Sequence, residues 1–132
     1  MTGRSLALGL GTHRDATVEE ALALARAVLA EAGQPDSAVA VIATLDTKAG
    51  AETVAALATA LGVPVRSYPA ARLEEETPRL ASPSERVFRA VGCHGVAEAA
   101  ALAAAGPAAA LLVPKRRSAR ATCALAGPGG AA

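Results

Sequence analysis

Apolar residues in this chain gather into short continuous runs separated by stretches of helical period. Val39–Thr44 reads Val-Ala-Val-Ile-Ala-Thr with no alternation, and Leu6-Ala7-Leu8 forms a similar run inside Ser5–Leu10. Strands that are apolar on both sides of the pleat are covered on both faces, which favours a parallel sheet between helix layers. After the first run, Thr17 stands as an N-cap and Thr17-x-x-Glu20 as a capping box. Leu22, Leu24, Val28 and Leu29 carry that helix to about Ala32, and Gly33 ends it. Gln34-Pro35-Asp36-Ser37 is a turn. A second helix is predicted over Ala51–Leu61, closed by Gly62, and a third strand over Val63–Tyr68, with Pro64 tolerated near a strand's start or on an edge. The order βαβαβ with short connections predicts right-handed crossovers.

The second half is less regular. Ala70–Glu76 reads as a short helix with Glu74, Glu75 and Glu76 as a solvated face, and Thr77–Ala81 as a loop. Ser82-Pro83-Ser84-Glu85 is a helix start with Ser82 as N-cap, Pro83 at the first helical position and Glu85 at the third, and Arg86–Val91 is the body. Gly92-Cys93-His94-Gly95 then separates it from an Ala-rich helix, Val96–Ala105, closed at Gly106-Pro107. Ala109–Pro114 and Ala121–Leu125 are the last two strands. Their basic connector, Lys115–Arg120, is too short for a parallel crossover, which takes about a dozen residues, so they form an antiparallel hairpin. The expected fold class is α/β: a single three-layer α/β/α domain over 1–126 with a five-stranded mixed sheet, mostly parallel with a C-terminal antiparallel hairpin. Residues 127–132 are expected to be a flexible tail.

Composition narrows the function. Aromatics are only 2% of the 132 residues and net charge is +1. Neither a bulk basic field nor stacking platforms for nucleic acid are present. Cys93 and Cys123 are too few for a disulfide scaffold. His13, His94, Cys93 and Cys123 have no local zinc spacing. No metal or cofactor is expected, and no membrane partner. The start, Met1-Thr2-Gly3-Arg4-Ser5, leads straight into the first strand without a signal-like apolar stretch, and no run reaches the ~20 apolar residues that span a bilayer. A soluble cytoplasmic protein is the expectation.

Candidate chemistry concentrates at three polar corners. Gly9-Leu10-Gly11-Thr12-His13-Arg14 reads as a strand breaking at two glycines into a βα corner, the place where open α/β sheets hold ligands. Asp46-Thr47-Lys48 is the second corner and Lys115–Arg120 the third. With strand four parallel to the others, all three meet on one edge of the sheet. The rim then carries Arg14, Lys48, Lys115, Arg116, Arg117 and Arg120 around Asp46, which suits a ligand with several carboxylates or phosphates. Plainer readings stand beside this one. Loops at strand ends are ordinarily polar, Lys115–Arg120 can guard an edge hairpin against aggregation, and Asp46 can cap the following helix. Gly9-x-Gly11 lacks the third glycine of a dinucleotide fingerprint. Cys93-His94 reads as a helix–helix turn rather than a nucleophile–base pair, because sequence neighbours on a helix do not face each other.

Five blocks recur in order in one known domain. They are Gly9-Leu10-Gly11-Thr12-His13-Arg14, Ala43-Thr44-Leu45-Asp46-Thr47-Lys48-Ala49, Pro83-Ser84-Glu85-x-Val87, Val91-Gly92-x-x-Gly95-Val96-Ala97-Glu98-Ala99-Ala100, and Lys115-x-x-Ser118-x-x-Ala121-Thr122. From about Leu6 to Ala126 the chain resembles the cobalamin-biosynthesis family that comprises CobE and the C-terminal domain of CbiG. The resemblance implies a role in building the corrin ring, with a precorrin-type polycarboxylate tetrapyrrole as ligand. The start at Met1 fits the stand-alone, CobE-like form. Two alternatives remain open: hydrolysis of a cobalt-precorrin-5A lactone with acetaldehyde release, as in CbiG, and non-catalytic docking on another cobalamin-pathway enzyme. The ligand-binding candidates are Gly9, Gly11, Thr12, His13, Arg14, Asp46, Lys48, Lys115, Arg117 and Ser118. For hydrolysis, Asp46 would be the base and His13 the acid/base, with Lys48 and Arg14 as anchors. The chain departs from the family's usual first corner, Gly-Ile-Gly-Cys-Arg-Arg-Gly. Thr12 replaces the cysteine, His13 the first arginine and Asp15 the glycine, which argues against a thiol-dependent step; Arg14 is kept. Arg117 replaces the second lysine of Lys-x-Lys-Ser and keeps the charge.

Overall fold

The computed structural model describes residues 5–47 and 50–128. Its elements are β1 (Leu6–Thr12), α1 (Val18–Glu31), β2 (Val39–Leu45), α2 (Ala51–Leu61), β3 (Val65–Tyr68), α3 (Ala70–Glu74), α4 (Glu85–Val91), α5 (Ala97–Ala105), β4 (Ala109–Arg117) and β5 (Ala121–Pro128). The five strands pair in the order β3-β2-β1-β5-β4. β1 pairs in parallel with β2, and β2 with β3, while β5 is antiparallel to both β1 and β4. Four strands therefore run one way and β5 alone returns, placing the carboxyl end of β4 on the same edge as those of β1 and β2.

Alternate residues of β1 serve two layers. Leu6, Leu8 and Leu10 bury against Ala21, Leu24, Val28 and Leu29 of α1 and Val54 and Leu57 of α2. On the other face Gly9 lies beneath α5, where an added Cβ would sit 1.9 Å from the Ala97 carbonyl oxygen and 2.9 Å from the Ala101 methyl. Glycine on the strand and alanine on the helix are what let this helix rest almost on the sheet backbone. α5 buries Ala97, Ala99, Ala100, Ala101 and Leu102, and Leu73 of α3 joins Ala99 and Ala100 in the same core.

Several local expectations are corrected. β1 does not break at its glycines but runs through both to Thr12, because Gly9 and Gly11 are needed for close packing inside the sheet. β4 runs past Pro114 to Arg117. An edge strand accommodates proline, and the ladder shifts register between Val113 and Arg116. The turn shrinks to Ser118-Ala119-Arg120, closed by Ser118 N–H donating to the Ala121 carbonyl at 2.9 Å. β5 continues to Pro128, so Gly127 and Pro128 of the expected tail belong to a strand; 129–132 lie outside the described residues. The cap of α4 is Ser84, whose Oγ accepts from the Val87 N–H at 3.2 Å. Ser82 lies before the helix start, where its N–H and that of Ala81 are both held at 3.0 Å by Glu98 Oε1. Thr17 caps α1 as expected, but the Glu20 carboxylate reaches Ser118 and Arg120. Asp46 does not cap α2; Gly50 occupies that position. Glu76 is not solvated: it is buried between Arg72 and Arg79, at 2.8 and 2.7 Å. Arg79 in turn donates to carbonyls at the end of α5 and beyond, including Leu102 and Ala109. Among the described residues no helix is long and apolar enough to cross a membrane.

Candidate functional site

The carboxyl edge of the sheet opens into a cleft of about 520 Å³ between the ends of β1, β4 and β5 on one side and α4 with the start of α5 on the other. Its charged lining is Arg86, Lys115, Arg117 and Arg120, with the His13 imidazole beside them and no carboxylate among the described lining residues. The floor is small and aliphatic: Gly11, Val87, Ala90, Gly95, Val96, Ala119 and Ala121. Strand alternation selects the cations. Lys115 and Arg117 line the cleft, whereas Arg116 points to the opposite face and forms a two-pronged ion pair with Glu31 of α1. The Arg116 guanidinium thereby holds the Glu31 carboxyl below its usual range.

The three predicted corners share this edge but not one cavity. Gly11, Thr12, His13, Lys115, Arg117, Ser118 and Arg120 come together in the cleft. Gly9 is instead under α5, and Arg14 is exposed and lines neither cavity. Asp46 and Thr47 line a smaller hollow of about 210 Å³ with Thr44, Val65 and Ser67, at the ends of β2 and β3. Thr12 packs against Gly50 at the head of α2, where an added Cβ would lie 1.8 Å from Thr12 Oγ1. Lys48 lies outside the described residues. Asp46 and His13, the candidate base and acid/base, thus line different cavities.

Three carboxylates shape the cleft from outside it. Glu20 accepts from the Ser118 hydroxyl and, at 2.6 Å, from the Arg120 N–H. These bonds, led by Ser118, hold the Glu20 carboxyl below its usual range. Glu98, almost fully buried, accepts from Ala81 and Ser82 with one oxygen and from the Lys115 N–H at 2.8 Å with the other. It joins the segment entering α4 to the end of β4. Glu74 accepts from the His94 ring at 2.8 Å and from the His94 N–H at 2.9 Å. The Glu74 bond raises the His94 pKa, burial opposing it, and Glu85 adds to the rise. Both thiols are buried and inert in setting: burial pushes Cys93 upward and Cys123 up to about 12. Among the described residues no group of His, Cys, Asp and Glu is arranged to hold a metal ion.

The sequence profile of the family described as cobalamin synthesis G C-terminus matches residues 6–126. The chain belongs to this family. It is a cobalamin-biosynthesis protein of the CobE/CbiG type. It is 50% identical over 126 residues to Protein CobE of Sinorhizobium sp., covering 96% of this chain and 82% of that protein. Its fold matches the crystal structure of CobE, a protein from the cobalamin (vitamin B12) biosynthetic pathway, with a TM-score of 0.87 at 39% identity, covering 93% and 89% of the two chains. It also matches the cobalamin biosynthesis protein chiG from Agrobacterium tumefaciens, with a TM-score of 0.72 at 29% identity over 95% and 99%.

In this CobE/CbiG-type domain, the residues that sequence reasoning missed all act from a distance in the chain. Arg86 and the N-cap Ser84 reach the cleft from α4 and its start, a helix that was read in the sequence but not placed at the cleft. Glu98 carried a signal, a lone carboxylate among the alanines of α5, but its backbone partners lie 16 and 17 residues away. Glu20 looked like half of a capping box; its partners are 98 and 100 residues away.

Proposed function

We propose that the cleft binds a precorrin-type tetrapyrrole through the carboxylates of its side chains, as an auxiliary or carrier module of corrin-ring construction. One observation carries this reading: Arg86, Lys115, Arg117 and Arg120 converge on one cavity with no carboxylate among its described lining residues. Cations kept together at such a rim lower the energy of a polyanion and give geometric selection for carboxylate. The volume of about 520 Å³ falls inside the range of small-molecule sites, about 300–1,000 Å³. With no Phe, Tyr or Trp in the lining, the macrocycle would rest on Val87, Ala90, Val96 and Ala121. Membership of a cobalamin-biosynthesis family supports a corrin precursor as that polyanion.

The test is an absorbance titration with a polycarboxylate tetrapyrrole at low salt. Arg117→Glu replaces an anchor by a repelling charge. It is expected to weaken binding by at least about tenfold, the scale of one hydrogen bond to a charged group. Arg66→Glu, on the exposed β3 at the far edge, is the control. Equal losses in the two variants would refute the cleft.

A further inference from the structure

α4 forms a wall of the cleft through Arg86, Val87 and Ala90, yet none of its residues is buried. Its start is tied down by the Ser84 N–H donating to the His94 carbonyl at 2.8 Å. Its end is Gly92, at φ +89°, a backbone state that costs glycine little. Among the described residues, every side-chain bond or ring contact from α4 to another element runs through His94. Glu85 Oε2 lies 3.1 Å from His94 Nε2, and the Phe88 ring stacks on the imidazole with centroids 4.4 Å apart. The other ring nitrogen, Nδ1, faces Glu74 of α3 at 2.8 Å.

We propose that His94 is a positioning residue whose protonation latches α4, and with it Arg86, against the cleft. The chemistry lies in the count of donors. An imidazolium has two N–H groups and satisfies both carboxylates; a neutral imidazole has one N–H and one lone pair. Glu74 lies within 2.9 Å of Nδ1 through both of its oxygens and keeps that proton, so the Nε2 lone pair then faces the Glu85 carboxylate. Glu85 is three-quarters exposed and is free to swing into water, and the Phe88 stack loses its cation–π component. The charged and titratable groups near the imidazole are Glu74 from α3, Glu85 from α4 and the buried Cys93 thiol beside Glu74. The latch is closed when His94 is charged and loosens as pH rises through its titration. Its consequence for ligand affinity rests on the anion-cleft reading; the latch itself does not.

The test therefore starts without ligand. Backbone heteronuclear NOE values of 86–91 and the His94 ring shift are followed by NMR from about pH 5.5 to about pH 9, a window spanning histidine titration. The latch predicts that α4 loses order with the same midpoint as the His94 ring, while α1 stays rigid. His94→Gln should leave α4 loose at every pH. Glu85→Ala, at an exposed carboxylate, should loosen α4 even at the acid end. An α4 equally ordered at both ends of the range in the unmodified protein, or in Glu85→Ala at the acid end, would overturn the proposal. In a His13→Gln background, which removes the imidazole inside the cleft, tetrapyrrole affinity should still fall about three- to tenfold over that range, the net scale of one ordinary hydrogen bond. No measurable affinity at any pH, with a titrating α4, would instead count against the ligand reading and leave the latch standing, whereas a measurable but flat affinity would overturn the coupling of α4 to the cleft.

Discussion

A methyl group on Gly9 would have to occupy space within 1.9 Å of the Ala97 carbonyl oxygen, a backbone atom that cannot rotate away. Gly9→Ala must push α5 off the sheet, and overpacking of this kind costs typically about 1–3 kcal/mol, occasionally more. The expected loss is about 3 kcal/mol in urea denaturation, with no change in the charge of the cleft. A loss below about 1 kcal/mol would show that α5 slides freely and that the glycine is there for something else. The same residue shows where sequence reading reached its limit. A glycine after an apolar run signals close approach of something, and that much was legible. Whether the visitor is a ligand phosphate or an alanine-rich helix nearly ninety residues later depends on tertiary contact alone. His13 divides in the same way. Its place at a strand end was legible, but its separation from Asp46 was not, because the two follow adjacent strands yet line different cavities.

At the scale of elements, the cleft sets the well-buried β1 and β5 against α4 and the β4–β5 turn, neither of which has a buried residue. The β4–β5 turn is held by Glu20, and the segment before α4 by Glu98. Glu98→Ala leaves the N–H groups of Ala81, Ser82 and Lys115 without their acceptor. At about 1 kcal/mol for each lost bond, the loss of stability should be about 3 kcal/mol. If it unfolds no more easily than the unmodified protein, the carboxylate is not the brace described. For Glu20 the sign follows from its depressed carboxyl. Its contribution is present above the ordinary value of 4.5 and is lost as pH falls through the lower folded-state value. The Arg120 amide shift should therefore move on acidification with a midpoint below 4.5, and Glu20→Gln should abolish that movement. A midpoint above that value would contradict the bond. The helices and strands themselves were largely legible, α2 to the residue, because caps and period are local. The extents of β4 and β5 were not, since Pro114 and Gly127 are breakers by local rule and are tolerated here by an edge position and by packing against Leu6 and Leu112.

For the whole molecule, the sheet order β3-β2-β1-β5-β4 does the work that matters for function. Insertion of β5 between β1 and β4 turns β4 parallel to β1, so the basic end of the hairpin meets the first corner. The hairpin and a parallel β4 together were enough to predict a shared basic edge. They were not enough to find that α4 closes it, because no residue of α4 is fully buried and its sequence marks where the helix starts and runs but not what it faces. Binding at an edge built this way depends on exposed charge, so affinity should fall steeply as salt shortens the Debye length from about 30 Å at 0.01 M to about 8 Å at 0.15 M.

The most direct measurement is a backbone amide shift map during titration with a polycarboxylate tetrapyrrole at low salt. Binding in the cleft predicts that Arg86, Gly95, Val96, Arg117 and Arg120 move together and saturate at one affinity, while Asp46 and Ser67 in the smaller hollow stay in place. Shifts centred on Asp46 and Ser67, or no saturable shifts at all, would contradict it.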